Sequence, residues 1–147
     1  MNIDKEDQNY LKSLTILYVE DEEDVREQLC EFLSRCIGVL ITAKNGAEGL
    51  EAFKKHSPDI VITDILMQDM DGLTMAEKMR EIIPSVPIIV LTAFEKSDYL
   101  KKAINSGLNK YLTKPVNSIL LLEHLLECVH KLSADKQLKQ IMNNWPR

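Results

Sequence analysis

The stretch Pro58-Asp59-Ile60-Val61-Ile62-Thr63-Asp64-Ile65-Leu66-Met67 decides the fold of this chain. Its centre, Asp59 to Thr63, is a short β-branched run that is apolar at consecutive positions, the mark of a strand buried on both faces. Four further runs have the same character: Leu14 to Val19, Gly38 to Thr42, Val86 to Leu91 and Lys110 to Thr113. Between them the apolar residues recur at helical spacing, as in Val25, Leu29, Phe32 and Leu33, in Met75, Met79 and Ile82, and in Leu100, Ala103 and Ile104. Turn-forming pairs separate the segments at Asn45-Gly46, Ser57-Pro58, Asp71-Gly72, Ile83-Pro84 and Ser106-Gly107. This rhythm predicts a (βα)5 domain of the α/β class. Right-handed crossovers would lay helices on both faces of a five-stranded parallel sheet, giving a doubly wound architecture.

A chain of 147 residues suits one hydrophobic core. The expected boundaries are an N-terminal extension over 1–13, the domain over 14–132, and a polar tail over 133–147. Leu138, Ile141 and Met142 keep helical spacing in that tail, which either extends the last helix (116 to 132) as the start of a linker or frays. An apolar share of 45% with 28% charged residues excludes a disordered or fibrous class. No apolar run approaches the ~20 residues needed to cross a bilayer, and the acidic start is unlike a secretory leader, so the expectation is a cytoplasmic protein with no membrane partner. Cys30, Cys36 and Cys128 are odd in number and lack metal or redox spacing, which reads as plain reduced thiols. The net charge of −5 disfavours direct nucleic-acid binding by this domain.

Open parallel sheets bind ligands beyond the carboxyl ends of their strands. There strand 1 runs into Glu20-Asp21-Glu22-Glu23-Asp24, strand 3 into Asp64, strand 4 into Thr92-Ala93 and strand 5 into Lys114-Pro115. In the common strand order 2-1-3-4-5, Glu20, Asp21 and Asp64 converge. Carboxylates 4 Å apart repel by about 4 kcal/mol per pair at an effective dielectric near 20, so a cation must offset them. Hard oxygen ligands without His or Cys point to Mg²⁺. With that ion on one side and Lys114 on the other, Asp64 can attack phosphorus in line, and Lys114 and the Thr92 hydroxyl are placed to hold the incoming phosphoryl oxygens. Glu22, Glu23 and Asp24 have the plainer role of complementing a helix N-terminus.

With those residues placed, the chain resembles the receiver domain of two-component response regulators over residues 14 to 131, a flavodoxin-like fold. The motifs are Ile16-Leu17-Tyr18-Val19-Glu20-Asp21-Glu22, the stretch quoted at the outset, Met70-Asp71-Gly72, Ile88-Ile89-Val90-Leu91-Thr92-Ala93 and Tyr111-Leu112-Thr113-Lys114-Pro115. The resemblance implies that Glu20 and Asp21 hold Mg²⁺ together with Asp64 and the Leu66 carbonyl, and that Asp64 takes its phosphoryl group from a sensor histidine kinase. It implies that Thr92 and Tyr111 move together as a switch, that Lys114-Pro115 is a cis peptide, and that the face made by helix 4, strand 5 and helix 5 changes to control an output. Implied partners are the kinase and a second copy bound through that face, or a downstream effector or fused output domain. Gln68 departs from the family, where proline is frequent, and leaves the loop after strand 3 less constrained. Leu66 and Phe94 stand where the family varies the rim of the site, and their bulk is expected to shield a phosphoryl group from water.

Rival chemistries fit less well. A flavin-binding domain of this architecture wants a loop of backbone donors after strand 1, where this chain has five acids. An aspartate-nucleophile phosphatase would carry a second Asp two residues after the first, and Leu66 stands there. A receiver-like scaffold that is never phosphorylated would be expected to lack Asp64, Lys114 or an acidic ligand, and all are present. The expected role is thus a regulatory phosphoacceptor rather than an enzyme acting on other substrates, either as a single-domain regulator or as part of a longer protein.

Overall fold

The computed structural model of the chain describes residues 3–93 and 110–145. In order, these form α1 (Lys5–Ser13), β1 (Thr15–Val19), α2 (Glu23–Cys36), β2 (Val39–Ala43), α3 (Gly46–His56), β3 (Ile60–Asp64), α4 (Gly72–Ile82), β4 (Ile88–Thr92), β5 (Lys110–Thr113) and α5 (Ser118–Asn143). The helix expected around Leu100, Ala103 and Ile104, and the turn at Ser106-Gly107, lie outside the described residues. All strand pairings are parallel and the sheet order is β2-β1-β3-β4-β5, as the repeat predicts.

Alternation along each central strand divides the core in two. Ile16 and Tyr18 of β1, Ile60 and Ile62 of β3, and Ile89 and Leu91 of β4 face one way, where Leu29 and Leu33 of α2 and Leu121 and Leu125 of α5 cover them. Leu17 and Val19, Val61, and Ile88 and Val90 face the other way, against Phe53 of α3 and Met75 and Met79 of α4. Every residue from Ile16 to Val19 is fully buried. At about 1.5–3 kcal/mol for each large apolar side chain, the central strands supply much of the driving force for folding.

The outer strands differ from the expectation of fully buried runs. Val39 and Tyr111 are exposed because β2 and β5 are the two edges of the sheet, where fewer neighbours cover a strand. The N-terminal extension also holds more structure than its composition suggests. Asp4 caps α1 by accepting a hydrogen bond from the Asp7 N–H at 2.8 Å, and Leu11 and Leu14 enter the core cluster beside α2 and α5. The end of α1 lies so close to the start of β2 that a Cβ on Gly38 would stand 2.1 Å from the Lys12 carbonyl oxygen, so only glycine fits. At the far end, the polar tail is helical as far as Asn143: α5 runs for 26 residues, about 39 Å. No described helix is long and apolar enough to cross a membrane.

Candidate functional site

Backbone ladders aim the residues at the carboxyl edge of the sheet. The Glu20 N–H donates to the Ala43 carbonyl at 3.0 Å, Ile65 to Leu91 at 3.2 Å, and Lys114 to Thr92 at 2.8 Å, so each strand end is tied to its neighbour where its polar residue emerges. Asp64 is the last residue of β3 and Thr92 the last of β4. Glu20 and Asp21 follow β1 and Lys114 follows β5.

Carboxylate oxygens of Glu20, Asp21 and Asp64 lie within 4.8 Å of one another. Lys114 Nζ stands 2.8 Å from Glu20 Oε1 and 2.9 Å from Asp64 Oδ2, bridging the first and third strands of the chain from the edge strand. Among the described residues, one ammonium thus pairs with two of three clustered carboxylates. The imbalance shows in the proton affinities. Burial pushes the Glu20 carboxyl up to about 7, and the nearby Asp64 charge adds in the same direction while Lys114 opposes it. Burial works to discharge Lys114, but its hydrogen bonds to Glu20 and Asp64 outweigh that and hold the ammonium above the usual lysine range. Glu20 Oε2 is buried without a hydrogen-bond partner. An orphaned oxygen beside two more carboxylates, with no nitrogen or sulfur ligand in the cluster among the described residues, fits a small hard dication such as Mg²⁺.

Thr92 is buried at the end of β4, one strand from Asp64. Tyr111 sits on β5 opposite Val90, two register positions before Thr113, which pairs with Thr92. Its side chain is 46% exposed, on the outer edge of the sheet. Ala93 and Pro115 are exposed neighbours of Thr92 and Lys114, and the Lys114-Pro115 peptide is cis. Leu66 is the second residue of the loop after β3, with its side chain exposed. Phe94 lies outside the described residues.

Several positioning contacts carry no obvious mark in the residue pattern. Arg26 Nη1 donates to the Glu20 carbonyl at 2.8 Å, fixing the backbone where β1 ends. Asp69 accepts from the Gly46 N–H at 3.0 Å and the Ala47 N–H at 2.9 Å, so the loop after β3 is tied to the N-terminus of α3. Those backbone donors, Ala47 first, hold the Asp69 carboxyl below the usual carboxylate range. Asp71 caps α4 through the Thr74 N–H at 2.7 Å, and the Gly72 N–H donates to the Ile65 carbonyl at 2.7 Å. A Cβ on Gly72 would come within 2.1 Å of the Asp64 carbonyl oxygen, so the start of α4 closes directly over the backbone of Asp64. Tyr18, buried on β1, has its phenol pushed far above the usual range by burial and by Glu20, and it stays neutral.

Known proteins match the chain along most of its length. The family model described as the response regulator receiver domain matches residues 16–126. The chemotaxis protein CheY of Halobacterium salinarum is 34% identical over 100 residues, covering 68% of this chain and 83% of that protein. Hybrid signal transduction histidine kinase D of Dictyostelium discoideum is 33% identical over 129 residues, which is 86% of this chain but 8% of that protein. Among solved structures, the N-terminal domain of an uncharacterized Wolinella succinogenes protein is similar with a TM-score of 0.78 and 36% identity, covering 84% of this chain and 99% of that one.

Proposed function

The chain belongs to the response regulator receiver domain family of two-component signalling, and from that premise we propose that Asp64 accepts a phosphoryl group from the phosphohistidine of a sensor histidine kinase. One observation carries the reading: among the described residues, three carboxylates meet within 4.8 Å while one ammonium, Lys114, is paired with two of them. Glu20, Asp21 and Asp64, with the Leu66 carbonyl, would hold Mg²⁺. When bound, that ion supplies the positive charge that lets a carboxylate and an anionic donor approach.

The chain's own residues do the rest. An Asp64 carboxylate oxygen forms the new P–O bond as the P–N bond to the donor imidazole breaks, and the imidazole leaves with that electron pair and takes up a proton. Lys114, already 2.9 Å from Asp64 Oδ2, follows the negative charge onto a phosphoryl oxygen, and the Thr92 hydroxyl donates to another. Attack of water on phosphorus then restores Asp64 and releases phosphate. This is a regulatory cycle on one side chain, without turnover of an external substrate.

Output follows from a population shift. As Thr92 is drawn toward the phosphoryl group, Tyr111 on the neighbouring strand moves inward. The face that includes β5 and α5 then changes for its partner, a second copy, an effector or a fused output domain. Incubation with Mg²⁺ and acetyl phosphate or beryllofluoride tests the central step by intact-mass measurement and fluorescence titration. The wild-type chain should form the adduct and Asp64→Asn should not. An unmodified wild type, or an undiminished adduct on Asp64→Asn, overturns the reading.

A further inference from the structure

Of the groups expected to hold Mg²⁺, Glu20, Asp21 and Asp64 are carboxylates at the ends of β1 and β3, whereas the Leu66 carbonyl belongs to the loop that joins β3 to α4. The carboxylates take their places from the sheet. A loop carbonyl is placed only by whatever fixes the φ and ψ angles around it. Both ends of this loop are closed. The Ile65 N–H donates to the Leu91 carbonyl at 3.2 Å, the Gly72 N–H returns to the Ile65 carbonyl at 2.7 Å, and Asp71 caps α4 through the Thr74 N–H at 2.7 Å. Between these ties run Leu66 to Met70, with the exposed Gln68 where a proline would have fixed φ.

The middle of the loop is held from a different element. Asp69 reaches the start of α3, where its two oxygens accept separately, Oδ1 from the Gly46 N–H at 3.0 Å and Oδ2 from the Ala47 N–H at 2.9 Å. Those donors have no partner within their own helix, and two charge-assisted bonds give the carboxylate one orientation. Met70 lies against the same turn. A Cβ on Gly46 would stand 2.8 Å from Met70 Cβ, an atom attached directly to the loop backbone, so the loop and α3 meet without room for another methyl group. Asp69 is exposed and water competes for its bonds, so the contact biases the loop toward one conformation rather than locking it.

We propose that Asp69 is a positioning residue for the metal: pinned to the Gly46 and Ala47 N–H groups, it holds the loop after β3 in the conformation that presents the Leu66 carbonyl to the ion. This rests on the Mg²⁺ site proposed above. Asp69 is not itself a ligand, because both its oxygens are engaged by α3. Such coupling is reciprocal, so a pin that raises affinity for the ion is tightened by the same factor when the ion binds. The Gly46 and Ala47 N–H groups, which face Asp69 and not the ion, should therefore sense its binding.

Titration of the isotope-labelled full chain with Mg²⁺, followed by NMR at each amide, tests this. Asp69→Ala should weaken Mg²⁺ binding by about three- to fivefold, the share lost when one helix-terminus contact no longer biases a two-state loop. Asp69→Asn keeps one acceptor oxygen and should lose less. Gly46→Ala keeps the N–H donor but crowds Met70, and should weaken the ion as well. Solvent exchange of the Gly46 and Ala47 N–H groups should slow when Mg²⁺ binds the wild type. Asp4→Ala is the control: it removes the carboxylate cap of α1, which precedes β1 and so lies toward the amino ends of the strands, and should leave Mg²⁺ affinity unchanged. Unaltered affinity in Asp69→Ala overturns the proposal, as does an equal loss in Asp4→Ala, or exchange at Gly46 and Ala47 that ignores the ion. Wild-type amides of Glu20, Asp21 and Asp64 that do not shift with Mg²⁺ would overturn the metal site itself and the pin with it, an outcome distinct from the other three.

Discussion

Burial opposes the charge on Glu20, and any ligand that needs that charge must compete with a proton. With the carboxyl pushed up to about 7, most metal-free molecules carry a proton there at about pH 6. A dication requires the ionised form, so Mg²⁺ affinity should fall as pH drops through 7, by roughly tenfold between about pH 7.5 and pH 6, with proton release on binding. Calorimetric titration in buffers of different ionisation enthalpy measures both, and affinity that does not change over this range would show that Glu20 is not a ligand. Leu66 makes a second case. Its side chain is exposed two residues beyond Asp64, and if it shields the phosphoryl group, Leu66→Asn should shorten the lifetime of phospho-Asp64 by admitting water; an unchanged or longer lifetime in a phosphate-release assay refutes the shielding role. Glu20, Asp21, Asp64, Thr92 and Lys114 were legible as residues because each is a polar side chain placed where an apolar strand stops. Arg26 and Asp69 were not, because their partners are backbone groups of Glu20, Gly46 and Ala47 that no residue type marks.

At the scale of elements, periodicity located the central strands and α2 and α4, whose apolar residues meet the sheet at regular intervals. It failed for α1, which has one strongly buried position, Leu11, in a polar segment too short to show a period. Its docking is a tertiary effect: the close approach to Gly38 and the hydrogen bond from the Gly38 N–H to the Leu11 carbonyl place it. Leu11→Ala should therefore cost about 2–4 kcal/mol in urea denaturation, the value of a core leucine, and a loss below about 0.5 kcal/mol would mean that α1 does not dock in solution. The bridge between the loop after β3 and α3 can be weighed in the same way. Asp69→Ala removes an acceptor from two N–H groups at a helix N-terminus and should cost about 1 kcal/mol at neutral pH. Since the folded state holds the Asp69 carboxyl below its usual range, that contribution is present above the unfolded-state value and disappears as pH falls through the folded one. The difference between wild type and variant should accordingly vanish in acid.

Taken as a whole, the molecule sets a well-satisfied apolar interior against a site that is poorly satisfied by itself. Alternate residues of β1, β3 and β4 feed two cores on opposite faces, and that pattern made the doubly wound sheet readable from the run around Asp64. Two of these strands, β1 and β3, lead into acids that repel, a local conflict of the kind that marks functional sites. The conflict has a measurable consequence. Glu20 and Asp64 are both buried and share one lysine, while Asp21 adds a third charge within 4.8 Å. Replacing Asp64 by an isosteric amide should lower the repulsion more than it weakens the pairing with Lys114, because Glu20 still pairs with that ammonium at 2.8 Å. Asp64→Asn should then raise the metal-free stability by about 1 kcal/mol, a few degrees in Tm for a domain of this size. Mg²⁺ should stabilise the wild type, since it binds only the folded chain, and should stabilise the variant less because a ligand is gone. Thermal unfolding with and without Mg²⁺ gives all four values. A variant less stable than the metal-free wild type would mean that Lys114 already balances the cluster, and the electrostatic case for a bound dication would lose its foundation.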